Sequence, residues 1–340
     1  MTIKLVTALA VGAAVALAAG GPAAAQQIVM KLGTATVGDG DQNTWMERFK
    51  QRVEARAPGR IVVQLYPGSQ LGDNTRMMEG VQLGTIEAYV APTVYFSIAD
   101  RRFMVLDAPG VFDDLEHAQR VVTDPDFRKP FLASAEPKNV VGLSIWASGT
   151  YCHMMRTKAL RTVDDFKGMK IRVLASKIES ESSKRLGSAG VPMALGEVLS
   201  ALQSGAIDGA KGALVVADGF KMWTLTKYLT ETDEAILVSA VGVHKPWFDK
   251  LPADIRAAML EEGGKLDKEM HDYSVEKRKG FRQNWVKNGG ELIKFSPEEQ
   301  RKLMERLSTV GETVIQDFPE VKPTYQMMLD FIKKHRKSAG

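Results

Sequence analysis

Two eight-residue phrases, VQLGTIEA (Val81–Ala88) and LQSGAIDG (Leu202–Gly209), match in kind at nearly every position. In each, a helix closes on glycine, the residue that passes a helix end in left-handed conformation without steric cost. A strand follows, opening with a β-branched residue and an acid. Upstream of the first phrase, IVVQLY reads as a strand, Ile61–Tyr66, broken by Pro67 and Gly68. A helix then runs through Met77, Met78 and Val81. Upstream of the second, KGMKIRV reads as a strand, followed by a helix around Ser180–Leu186 and a short apolar segment at Val191–Met193. Another helix passes through Val198, Ala201 and Leu202. Two such strand–helix–strand units, about 120 residues apart, predict two α/β domains of similar build.

The remainder is mainly helical. Asn43–Ala55 carries Trp45, Phe49 and Val53 on one face, and Leu115–Val122 reads the same way. Helix formers dominate from Pro252 to Lys287, interrupted at Gly263–Gly264 and Gly280. Unbroken, that segment would span roughly 50 Å, enough to lie across both domains. Ser296 is placed to cap a helix, with Pro297 at its first position and Glu299 closing a capping box. No low-complexity linker divides the chain, so the domains should be joined by several crossings.

The first 25 residues have their own pattern: Lys4, an apolar run from Leu5 to Ala19, then small residues through Ala25. This predicts a signal peptide cut after Ala25 and export to the periplasm. Cys152 is the only cysteine, so no intramolecular disulfide is possible. Five scattered histidines offer no metal-ligand spacing, and neither a structural metal nor a cofactor is expected. A formal charge of +4 without a basic run interleaved with aromatics speaks against nucleic acid as a partner. The cluster Lys333, Lys334, His335, Arg336, Lys337 reads as a solvated helix end.

No hydrolase elbow, zinc-protease helix or phosphate loop occurs, and the adjacent Cys152–His153 pair is weak evidence for a nucleophile, because catalytic pairs are brought together by the fold. An enzyme is therefore not expected. One residue stands out. Arg172 sits among Met169, Ile171, Val173 and Leu174, and alternation alone would place it on a wet face with Lys170.

Four phrases, YPGSQLGDNTRMMEGVQLGTIE, VLDAPGVFDDLEHA, DFKGMKIRV and GEVLSALQSGAIDG, closely resemble the signatures of TRAP transporter solute-binding proteins of the DctP type. Their order and spacing carry the resemblance. It implies the periplasmic-binding-protein α/β fold: two domains around a central ligand cleft, joined by crossing strands and a long helix. Domain I would comprise residues 26–149 and about 238–277, and domain II residues 150–237 and about 278–340. It also implies a monomer that captures a small organic carboxylate and delivers it to the small and large membrane subunits. The alternatives are a receptor presenting its ligand to a sensor kinase, and a binder of dicarboxylates or sugar acids.

The same resemblance makes Arg172 the arginine that pairs with the ligand carboxylate. A planar guanidinium matches a carboxylate with two parallel N–H donors, as lysine cannot. Other positions depart from the sialic-acid-binding branch. Its second arginine, 20 positions earlier, corresponds by count to Cys152; an asparagine corresponds to Gly212, and another to Ala35. A glutamate and an arginine correspond to Pro92 and Tyr95, with Thr93 between them. A pocket so depleted of polar contacts would leave many sugar hydroxyls unpaired, which favours a smaller or more apolar monocarboxylate. Tyr95, Phe96, Trp146, Tyr151 and Leu195 are candidate walls. Lys211 could add a second positive charge, which would suit a dicarboxylate.

Overall fold

The computed structural model describes residues 27–336, so the leader and its cleavage site lie outside the described residues. Nine strands form one mixed sheet: β1 (Ile28–Gly33), β2 (Ile61–Tyr66), β3 (Ala88–Pro92), β4 (Val140–Met155), β5 (Lys170–Val173), β6 (Ala189–Pro192), β7 (Gly209–Ala213), β8 (Tyr228–His244) and β9 (Glu291–Lys294). The strand order is β2-β1-β3-β8-β4-β7-β5-β6, with β9 paired to the end of β8. At one end β1, β2 and β3 run parallel; at the other β5, β6 and β7 do so. The antiparallel pair β4 and β8, 16 and 17 residues long, joins the two groups.

VQLGTIEA and LQSGAIDG form equivalent corners. Each helix, Asn74–Leu83 and Val198–Ser204, ends on a glycine in the left-handed region, Gly84 at φ 78° and Gly205 at φ 75°. The strands start a little later than the residue pattern predicts. Thr85 and Ile86 instead donate their amides back to the Gly80 carbonyl, and pairing begins at Ala88.

The crossing pair is irregular where the two groups meet. Between Thr150 and Cys152 the partner on β8 jumps from Ile236 to Glu231, so β8 bulges at residues 232–235, with Asp233 at φ 46°. The long helix Ala253–Lys287 braces this bulge. Arg278 donates to Asp233 at 3.0 Å and to Thr150 at 2.6 Å, and Arg282 donates to Glu231 at 2.6 Å. This helix is continuous over 35 residues, contrary to the expected interruptions. Gly263 is used for close approach, since a Cβ there would lie 3.0 Å from the Leu143 carbonyl oxygen; Gly264 and Gly280 face open space. The expected capping box at Ser296 is half formed. Ser296 caps the Glu299 amide, but the Glu299 carboxylate accepts instead from the Val163 amide at 2.7 Å. Among the described residues, no helix is long and apolar enough to cross a membrane.

Candidate functional site

Strands that run parallel present their carboxyl ends, and the loops that follow them, at one edge of the sheet, where α/β proteins place their ligands. Here the loops after β1, β3, β5 and β7 converge on a pocket of about 470 Å3. Ala35, Thr36 and Gln42 come from the first, Pro92 and Tyr95 from the second, Arg172 and Leu174 from β5 and just beyond it, Gly212 and Ala213 from β7, and Val215 and Val216 from the short helix Leu214–Gly219 that follows it. Asn74, Tyr151, Leu195 and Leu237 complete the wall.

Arg172 is 3% exposed and has no acidic partner among the described residues. Its Nε donates to the Met193 carbonyl at 3.1 Å, one Nη1 proton goes to the Lys211 carbonyl at 3.1 Å, and one Nη2 proton reaches the Tyr95 hydroxyl at 3.4 Å. A guanidinium carries five N–H donors, so one remains on each terminal nitrogen. Three neutral oxygens orient the group without neutralising it. A buried charge held this way is costly until an anion arrives, and one donor on each terminal nitrogen remains available to it.

The rest of the polar lining is neutral. Asp73 caps the helix Asn74–Leu83 by accepting from the Arg76 amide, which places Asn74 in the first turn. Asn74 accepts the Tyr89 hydroxyl proton at 2.6 Å, and its amide nitrogen has no partner among the described residues. Gln42 accepts from Thr34 at 2.7 Å and from Thr36 at 3.4 Å and donates one amide proton to Ser239 at 3.1 Å. The remaining lining is largely aliphatic.

Several residues singled out from the sequence lie elsewhere. Lys211 does not line the pocket: it is buried behind Tyr151, between Glu179 at 2.9 Å and Glu234 at 3.0 Å, with its ammonium 4.2 Å from the centre of the Tyr151 ring. Burial opposes its charge, yet the two carboxylates hold its pKa above the ordinary lysine value. Only its backbone oxygen reaches the site, through Arg172. Cys152 does not line the pocket; burial pushes its thiol pKa up, and its neighbour Tyr151 is the lining residue. One step along a strand reverses the face, so a count of 20 positions lands on the wrong side. Trp146 belongs to the core, stacked 6.5 Å from Trp45 and donating to Asp41 at 2.6 Å. Thr93 is buried outside the lining as the first residue of a one-turn helix. Arg172, Tyr95, Tyr151, Leu195, Gly212 and Ala35 are brought together. Asn74, Gln42 and Thr36 were not singled out from the sequence; polar residues just after a strand or a helix cap are the signal that marks them.

A family model, "Bacterial extracellular solute-binding protein, family 7" (DctP), matches residues 36–317. The C4-dicarboxylate-binding periplasmic protein DctP of Rhodobacter capsulatus is 32% identical over 260 residues, 76% of this chain and 78% of the relative. The sugar acid binding protein DctPAm from Advenella mimigardefordensis, solved with galactonate, is similar in fold at a TM-score of 0.86 and 22% identity, covering 91% of this chain and 99% of that one. A TRAP periplasmic solute-binding protein from Ralstonia eutropha H16, solved with (S)-2-acetolactate, gives 0.83 at 21% identity, covering 90% and 99%. The crossing strands, the long helix and the edge pocket are thus accounted for together: the chain belongs to the DctP family of TRAP solute-binding proteins.

Proposed function

We propose that this protein captures a small organic monocarboxylate in the periplasm, as a monomer, and passes it to the membrane subunits of a TRAP transporter. The observation that carries the reading is the buried Arg172 guanidinium, oriented by three neutral oxygens and lacking an acid. The ligand carboxylate takes its two remaining donors. Aliphatic side chains enclose the body of the ligand, and the Asn74 amide donates to one of its hydroxyl or carbonyl oxygens. The two parallel-strand groups act as two lobes, with the partition near residues 149 and 237, and close on the ligand by bending at the β4–β8 irregularity.

The Rhodobacter capsulatus relative gives a dicarboxylate reading its support. Against it, Arg172 is the one charged residue lining the pocket among those described, and Lys211 is committed to Glu179 and Glu234 behind Tyr151. A second carboxylate would be buried without a counter-charge, a penalty of several kcal/mol. A thermal-shift and calorimetry panel of (S)-2-acetolactate, 3-methyl-2-oxobutanoate, succinate, malate and galactonate tests this. Tighter binding of the monocarboxylates is expected; saturable preference for succinate or malate would replace the reading with the dicarboxylate one.

A further inference from the structure

Behind the pocket lies a buried set of ionisable groups that anchoring by Arg172 does not use. Asp107, 3% exposed, accepts the Tyr151 hydroxyl proton on Oδ1 at 3.0 Å, with the Ser176 hydroxyl 3.5 Å from Oδ2. The charged groups facing it are Glu179, from the helix Lys177–Leu186, and Lys211, from β7. Lys211 is tied in turn to Glu234 on β8, and Glu234 lies 3.2 Å from His153 on β4. Three carboxylates therefore share one lysine and one histidine in a region without water-exposed relief. Burial first, and the Glu179 charge second, push Asp107 up to about 7.

The geometry sets a constraint on Tyr151. A phenol has one proton to donate. While Asp107 is ionised, that proton is committed to it, and Tyr151 can only accept from other groups. A ligand carboxylate is itself an acceptor, so the two oxygens would repel. With one proton from solvent on Asp107, the carboxylic acid donates to the phenol oxygen and the Tyr151 proton becomes available to the pocket.

Resting on the carboxylate-binding reading above, we propose that Asp107 is a positioning residue, which sets the donor direction of Tyr151 and makes ligand capture take up one proton. The arriving anion favours the protonated form of the pair, so binding and protonation assist each other. Above neutral pH, affinity should fall by up to about tenfold per pH unit, the slope for one linked proton.

The test uses the full mature protein, with (S)-2-acetolactate and succinate as probes, by calorimetry near pH 7 in phosphate and in Tris. Proton uptake appears as a difference in apparent binding enthalpy between buffers of unlike ionisation enthalpy. Wild type should take up a substantial fraction of one proton and lose affinity as pH rises from 7 to 9. Asp107→Asn, whose amide can donate to Tyr151 permanently, should show neither effect. Equal proton uptake in Asp107→Asn and wild type would overturn the proposal. A ligand-free measurement separates this from the binding reading itself. Because the folded pKa of Asp107 lies above its unfolded value, the stability it contributes is present below about pH 4 and lost as pH rises to about 7. The melting temperature of wild type relative to Asp107→Asn should therefore decline across that window. A flat difference overturns the role of Asp107 whatever the probes do, whereas failure of both probes to bind alongside a declining difference counts against the binding reading alone.

Discussion

Two buried cations lie close together in this protein and have opposite partners. Lys211 is paired with two carboxylates, while Arg172 has none. Removing Lys211 would leave Glu179 buried without its cation and Glu234 with only His153 and Thr232, a loss of about 3–5 kcal/mol for such a pair. Lys211→Met should therefore lower the unfolding free energy by that order in urea titrations without ligand. An unchanged midpoint would mean that Lys211 is not structural. The sequence distinguishes these two residues poorly. Both sit on short strands among small or apolar neighbours, and the acids that neutralise Lys211 are 32 residues before it and 23 after it in the chain. Arg172 was singled out for the pocket through the resemblance of its strand; its alternation with Lys170 pointed the other way. The strand is covered on both faces at Arg172 and open only at Lys170, so period-two reasoning fails there.

At the scale of elements, the helices were legible because their apolar faces and caps are local. The crossing strands were not. Most of β4 and β8 is buried on both faces, so neither alternates, and their pairing joins residues about 75 to 105 positions apart. The loop after β1 and the short helix Leu214–Gly219 were equally silent, yet they meet across the mouth of the pocket. Gly38 adopts φ 76° with a prospective Cβ 3.2 Å from the Gly219 Cα, and a Cβ on Gly219 would lie 2.4 Å from the Val37 carbonyl oxygen. Both segments also line the pocket through Thr36, Val215 and Val216. A side chain on Gly219 should act as a wedge that holds the lobes apart while leaving Arg172 and Asn74 intact. Gly219→Leu is expected to weaken binding by roughly tenfold or more, by depleting the closed state. It should also keep the radius of gyration of the saturated protein larger than that of saturated wild type. Wild-type affinity with a wild-type radius would show that this contact does not limit closure.

For the whole molecule, the sheet places its parallel-strand ends around one pocket and supplies that pocket with one unpaired buried cation. Family membership accounts for the architecture; the proposed chemistry of capture rests on Arg172. The most direct measurement is calorimetric titration of wild type and Arg172→Ala with the acid from the panel that binds wild type most tightly. Loss of one partner of a buried charge pair costs about 2–5 kcal/mol, or roughly 30- to several-thousand-fold in affinity. That loss is predicted, with only a small change in ligand-free melting temperature and with substantial weakening in Arg172→Lys, which keeps the charge but not the fork. Wild-type affinity in a folded Arg172→Ala protein would contradict the account.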